Sequence, residues 1–217
     1  MPLEEMSRFF NARVDNYEQH MHDVLSGAEG YIEIAKLIPT TEGLKLLDLG
    51  CGTGLELDEI FRINPTVQVT GIDLAEKLLE KLSKKNDARK NQINLVLADY
   101  FEYDFGENAF DVALSVQTLH HFSYNEKIGL YKRIYDCLKQ GGLYIESEYM
   151  APTKEFEDFR FAENKRLRAE EGITGGYYHY DTPCTVENQI SMMKNAGFST
   201  VEIVSRFGNG ATLTARK

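Results

Sequence analysis

Apolar and polar positions follow two periods along this chain, and the period switches from segment to segment. Residues 45–49 (KLLDL), 67–72 (VQVTGI), 93–97 (INLVL), 110–115 (FDVALS) and 143–147 (LYIES) are short apolar runs, the pattern of buried strands. The stretches after the first, second and fourth runs have helical spacing: about 55–63, with Leu55, Ile60 and Ile63, about 75–88, and 124–138, with Leu130, Tyr131, Ile134 and Leu138. Asn64-Pro65 stops the first of these helices and Gly141-Gly142 follows the third. Strands and helices in turn predict a mostly parallel sheet covered on both faces. The end of the chain differs. A helix over 185–196, opened by Thr185 and closed by Gly197, leads to strands over 198–206 and 211–215 around Gly208-Asn209-Gly210. So short a turn makes the last two strands antiparallel neighbours.

Two stretches stand outside this alternation. In residues 3–27, Phe9, Phe10, Val14 and Tyr17 recur at helical spacing with charge between them, which predicts an amphipathic helix packed on the domain or capping it. A further helix over 28–38 precedes the first strand. Residues 152–183 begin with a charged helical stretch over 154–171 and continue through glycines into Tyr177-Tyr178-His179-Tyr180-Asp181. Glycines beside four aromatic rings predict a lid or pocket wall. The expectation is one domain over 1–217, with a cap segment at 3–27 and a lid-like insertion at 152–183.

The chemistry is densest where the first strand ends. Asp48-Leu49-Gly50-Cys51-Gly52-Thr53-Gly54 closes a buried strand and opens a helix, so its glycines fall where free backbone N–H groups can face a ligand. The GxGxG spacing is a poor match to the dinucleotide fingerprint GxGxxG, and Leu55 after Gly54 rules against a P-loop. Two further acids, Asp73 and Asp99, follow the second and third strands and so reach the same rim. A carboxylate at Asp73 can accept two hydrogen bonds from a ribose diol. Val116 to Phe122 after the fourth strand contains His120 and His121, at the edge where ligands meet an open sheet. No Cys or acid lies at a supporting spacing to make these histidines a zinc site, so no metal is expected.

This set resembles the class I S-adenosylmethionine-dependent methyltransferases, and the resemblance covers most of the chain. It implies an α/β, three-layer Rossmann-like fold with a seven-stranded, mostly parallel sheet and an antiparallel last strand. S-adenosyl-L-methionine is the implied cofactor, bound by Asp48, Gly50, Cys51, Gly52, Gly54, Asp73, Leu74, Asp99, Tyr100, Ser115 and Gln117. Asp73 would take the ribose and Asp99 the adenine amino group. His121, then His120, are the candidate catalytic groups. Tyr17, His22, Glu148, Arg160, Tyr177, Tyr178 and His179 are the substrate-side candidates, drawn from the cap, the fifth strand and the insertion. Methyl transfer to a small-molecule acceptor is the implied activity, with the acceptor atom left open.

Composition narrows the partners. The formal net charge of −10, from 34 acidic and 24 basic residues, opposes broad nucleic-acid binding, although a local basic patch for transfer RNA stays open. Cys51, Cys137 and Cys184 are too widely spaced for a disulfide framework or a metal cluster. The acidic start MPLEEMSRFF has no signal-peptide core and no apolar run is long enough to span a membrane, which points to a cytoplasmic protein. A homodimer is left open. A tRNA-modifying enzyme of the same fold and a non-catalytic S-adenosylmethionine-binding protein are the competing readings.

Overall fold

A computed structural model describes residues 2–25 and 27–217. Its centre is a seven-stranded sheet in the order β3-β2-β1-β4-β5-β7-β6. β1 (Lys45–Leu49), β2 (Gln68–Asp73), β3 (Ile93–Leu97), β4 (Phe110–Val116) and β5 (Leu138–Tyr149) run parallel to one another. β6 (Thr200–Phe207) and β7 (Gly210–Arg216) form the expected hairpin, and β7 enters between β6 and β5 antiparallel to both. The central strand explains the apolar runs. Leu47 and Leu49 feed one core while Leu46 feeds the other, because successive side chains point to opposite faces. Both faces are dry, so the run reads as continuously apolar.

Helices α4 (Leu55–Ile63), α5 (Glu76–Lys85), α6 (Tyr124–Cys137) and α8 (Val186–Asn195) cover the sheet. Ser123 and Glu126 form a capping box at the start of α6, and Thr185 Oγ1 accepts from Asn188 N at the start of α8. Two boundaries differ from the pattern. The fifth strand begins at Leu138 rather than 143, because α6 runs directly into it and a register irregularity between Phe110 and Val112 absorbs the glycine turn. The helix expected over 75–88 ends at Lys85, followed by a 3₁₀ turn at Asp87–Arg89.

The amphipathic segment is two helices, α1 (Met6–Asn11) and α2 (Tyr17–Val24), followed by α3 (Ala28–Lys36). Glu5 caps α1 by accepting from Ser7 N and Arg8 N. The break falls at Asp15-Asn16, residue types whose side chains compete with helical backbone bonds. The insertion contributes α7 (Lys154–Glu170) and an extended strip through 177–183. These two outlying segments bind each other. Met6 N donates to Tyr177 O at 2.9 Å, His179 N donates to Glu4 O at 2.9 Å, and Glu5 bridges Tyr178 in antiparallel fashion. Together they lie over the carboxyl ends of the central strands. Among the described residues no helix is long and apolar enough to cross a membrane.

Candidate active site

The glycine loop turns sharply because Gly50, Gly52 and Gly54 hold φ of +68°, +50° and +68°, the left-handed region that favours glycine. A β-carbon on Gly52 would stand 2.5 Å from Tyr17 Oη, and one on Gly50 would stand 2.4 Å from Thr118 Oγ1. The loop therefore presents bare backbone where α2 and the turn after β4 close over it. Asp73, at the end of β2, ties the rim together. Its Oδ2 accepts from Gly52 N at 2.9 Å and its Oδ1 from Ala75 N at 2.7 Å. These bonds close the turn between β2 and α5 while Asp73 stays at the rim, and each oxygen keeps acceptor capacity. Burial pushes the Asp73 carboxyl up, against the backbone N–H groups that hold its ionised form.

Asp99 repeats the device one strand over. Its Oδ1 accepts from Phe101 N at 2.8 Å, and burial raises its pKa. A left-handed, close-packed glycine loop with two carboxylates along one rim is the cradle that an adenosine-bearing, amino-acid-ended cofactor needs, so the residues fit S-adenosylmethionine. Not every candidate lines that cradle. Asp48 lies beneath the loop near Glu56, where burial, then the neighbouring carboxylate, drive its pKa up. Cys51 Sγ is buried against Gly71. Ser115 Oγ is bonded to Tyr144 Oη at 2.7 Å inside the core, so its hydroxyl faces away from the rim. Tyr100 is buried with its hydroxyl 3.0 Å from Thr118 Oγ1. Leu74 is half-buried between Asp73 and the start of α5.

Beyond β4 the chain enters a strained turn. Gln117 has φ +52°, uncommon for a residue with a side chain, and its N–H donates to Ser147 O at 2.8 Å. The 3₁₀ turn Leu119–His121 follows. Glu148 on β5 supports it from below: Oε2 accepts from Thr118 N and Leu119 N at 3.1 and 2.6 Å, and Oε1 pairs with His120 Nδ1. Burial disfavours the His120 imidazolium, but the Glu148 carboxylate outweighs it and raises the pKa. The same pairing holds the Glu148 carboxyl below its ordinary value despite burial. Glu148, a substrate-side candidate, is thus a buried support for His120.

The extended strip supplies a partner that the linear spacing hid. Asp181 Oδ1 lies 3.3 Å from His121 Nδ1 and 3.7 Å from His120 Nε2. Thr182 fixes that approach by donating from N and Oγ1 to His120 O at 2.5 and 3.2 Å. Arg160 Nε donates to Asp181 O at 2.8 Å, so this candidate positions the strip. Burial, then the adjacent His120, keeps His121 below its usual pKa, while the histidines hold the half-buried Asp181 well below the carboxylate range despite its burial. His179 stacks on Phe9 with ring centres 3.5 Å apart and lies 4.8 Å from the His121 ring; burial and that neighbour lower its pKa to about 4.

A cavity of about 800 Å³ opens beside this cluster, the size of a small-molecule site. Phe10, Tyr17 and Met21 from the N-terminal helices form one wall; Gln117, His120, His121, Tyr149, His179 and Asp181 form the other, with Asn209 of the terminal hairpin at its edge. Of the substrate-side candidates, Tyr17 and His179 line it. His22 packs edge-on to Tyr31 instead, Tyr177 packs among Phe101 and Phe122, and Tyr178 pairs with Glu5. Asp181, Phe10 and Tyr149 were not singled out from sequence. Asp181 ends the aromatic strip expected to form a lid or pocket wall, and Phe10 belongs to the amphipathic stripe expected to pack on or cap the domain; neither was given a role of its own.

Comparisons with known proteins agree with the fold. A family profile described as "Methyltransferase domain" matches residues 46–142. The chain is 30% identical over 195 residues to the carboxy-S-adenosyl-L-methionine synthase of Nautilia profundicola, covering 80% of this chain and 77% of that one. It is also 30% identical over 176 residues to phosphoethanolamine N-methyltransferase 3 of Arabidopsis thaliana, across 81% of this chain but only 33% of that one. Among solved structures, Haemonchus contortus phosphoethanolamine N-methyltransferase 2 in complex with S-adenosyl-L-methionine superposes with a TM-score of 0.70 at 18% identity, covering 95% of this chain and 57% of that one.

Proposed function

The chain belongs to the class I S-adenosylmethionine-dependent methyltransferase family, and from that premise we propose that it is an enzyme transferring the methyl group of S-adenosylmethionine to a small molecule held in the 800 Å³ cavity. The observation that carries the proposal is the position of Tyr17, whose hydroxyl stands over Gly52 while its ring lines the cavity that holds His120 and His121. Cofactor rim and acceptor chamber therefore share a wall. S-adenosylmethionine supplies, when bound, a methyl carbon made electrophilic by the attached sulfonium.

The backbone of Gly50 and Gly52 would hold its amino-acid end, Asp73 its ribose and Asp99 its adenine. The chain's further work is to orient the acceptor and exclude water. Phe10, Tyr17 and Met21 close the chamber from above, and Gln117 continues the rim toward the histidines. Tyr17, Gln117 and the histidines would hold the acceptor with its lone pair toward the methyl group that the cofactor would supply. Where the acceptor atom carries a proton, the His120–His121–Asp181 cluster stands beside it to assist its departure. In this reading segments 3–27 and 152–183 are two halves of one cover, acting within a single unit.

Calorimetry with S-adenosylmethionine, S-adenosylhomocysteine and NAD tests the first half; one-to-one binding of the first two and none of NAD is expected. Incubation of labelled S-adenosylmethionine with metabolite and RNA pools tests the second; label in a small product is expected, and label only in RNA would favour the tRNA-modifying alternative. The synthase likeness supports one other reading, in which the molecule in the cavity reacts with the cofactor to leave a carboxylated form of it. Mass spectrometry separates the two, since S-adenosylhomocysteine accumulates only in the first.

A further inference from the structure

Three ligand-type side chains, two adjacent in sequence and the third sixty positions on, meet at the cavity wall. One donor atom from each of His120, His121 and Asp181 lies within 4.8 Å of the others. Two donors bound to one ion at about 2.1 Å each are separated by about 3.0–3.4 Å for octahedral or tetrahedral angles. The His121–Asp181 separation of 3.3 Å falls in that range and the His120–Asp181 separation of 3.7 Å lies just beyond it. His121 Nδ1 has no hydrogen-bond partner although the residue is only 8% exposed, so its approach to Asp181 is close but not aligned for a shared proton. A buried nitrogen left this way carries a desolvation cost that a third atom between the two groups would remove.

The surroundings match what a metal site requires. Glu148 binds His120 Nδ1 from the far side and is itself fixed by Thr118 N and Leu119 N, which leaves Nε2 as the free lone pair and sets the ring. A carboxylate behind a ligating histidine is the usual outer support of such sites. Thr182 clamps the Asp181 strip to the His120 carbonyl, so the three donors are held without an ion. The cavity lies on the open side, where further coordination positions would face the acceptor.

We propose that His120 Nε2, His121 Nδ1 and Asp181 bind a divalent first-row transition metal whose open positions take an oxygen donor of the acceptor. Two imidazoles and one carboxylate suit zinc, iron(II), cobalt(II) or manganese(II), and three protein ligands with open positions describe a catalytic rather than a structural site. The metal would orient the acceptor and lower the pKa of a bound hydroxyl, which releases its proton to solvent before its oxygen attacks the methyl carbon. This rests on the reading of the cavity as the acceptor chamber, but the binding site itself can be tested without turnover.

The test uses untagged full-length chain freed of metal with a chelator and titrated with Co²⁺. One-to-one binding with visible d–d absorption is expected. His121→Ala should abolish that absorption and Asp181→Asn should weaken binding at least tenfold, with melting curves confirming that both fold. Glu148→Gln, which removes no ligand, should weaken binding roughly tenfold to a hundredfold. S-adenosylmethionine affinity, measured alongside, should stay within threefold in all three variants. No absorption on Co²⁺ addition, or equal binding by wild type and His121→Ala, overturns the metal site. Full methyl transfer by the metal-free chain also overturns the proposed metal role and leaves the methyltransferase reading standing with a free imidazole at His121. Intact Co²⁺ binding without S-adenosylmethionine binding would sink the methyltransferase reading and leave the metal site.

Discussion

The glycine-loop rim and the histidine cluster sit a few residues apart in space yet are built in opposite ways. The rim is local. Gly50, Gly52 and Gly54 fall within one turn, and Asp73 reaches Gly52 N from the next strand by register alone, since β1 and β2 pair residue for residue from Lys45 with Gln68 to Leu49 with Ile72. The cluster is assembled. His120 and His121 come from the turn after β4, Glu148 from β5, Asp181 from the insertion, and Phe10 and Tyr17 from the first helices. The rim's own backbone and the strand register set its shape, and Tyr17 and Thr118 press on its glycines from elsewhere. The cluster depends on whether segments far apart in the chain dock correctly. A parallel sheet delivers strand ends to one edge without further help; a chamber above that edge needs excursions of the chain.

The largest effect expected from breaking this contrast is at the rim. Gly52→Val adds a β-carbon 2.5 Å from Tyr17 Oη on a backbone with φ +50°. Loss of stability of about 1–3 kcal/mol and at least a hundredfold loss of S-adenosylmethionine affinity are expected, read by denaturant melts and calorimetry. Asp73→Ala should follow, because it removes the acceptor for Gly52 N and Ala75 N together with the proposed ribose contact. A fall in affinity of about one to two decades corresponds to a lost hydrogen bond to a charged group. If Asp73→Ala binds as well as wild type, closing the turn between β2 and α5 alone accounts for that residue.

At the cluster the expected signature is a split. Asp181→Asn should lower turnover about tenfold to a hundredfold while the cofactor dissociation constant moves less than threefold, since Asp181 touches the histidines and not the loop. Equal losses in both would show that the two regions are one energetic unit.

A pH experiment probes the strand that carries the cluster's support. Glu146, two residues before Glu148, is fully buried against Tyr131, Tyr144 and Gln189, and burial lifts its pKa to about 7. A carboxyl raised in the folded state is protonated there while the unfolded chain has already lost the proton. Its contribution is therefore fully present below the unfolded pKa of about 4.3 and disappears as pH rises through about 7. The loss is on the order of 3 kcal/mol. Glu146→Gln should flatten the decline in urea midpoint between pH 5 and 8, and an unchanged slope would assign it elsewhere. The smallest effect belongs to Glu18 and Lys81, whose half-exposed ion pair of 3.2 Å ties α2 to α5. Glu18→Gln should cost less than about 1 kcal/mol and be masked by salt.

The sequence by itself determined the strand–helix alternation, the terminal hairpin and the rim, because each is written in a short window: a period of two or 3.6, a glycine at a left-handed turn, an acid at a strand end. It also marked His120 and His121, since they follow a strand that the pattern located. Only the tertiary structure decided what those histidines face. Asp181 stands sixty positions from His121 in the chain and meets it because Thr182 bonds to the His120 carbonyl and Arg160 holds the Asp181 backbone. The same packing turned Ser115 into the core, sent Tyr177 and Tyr178 away from the cavity, and set Glu148 beneath His120 as a support. Local periodicity specifies which face of an element is apolar. Which distant side chain completes a polar site is decided by the summed packing of segments that share no common pattern, and that sum is evaluated only when the chain folds.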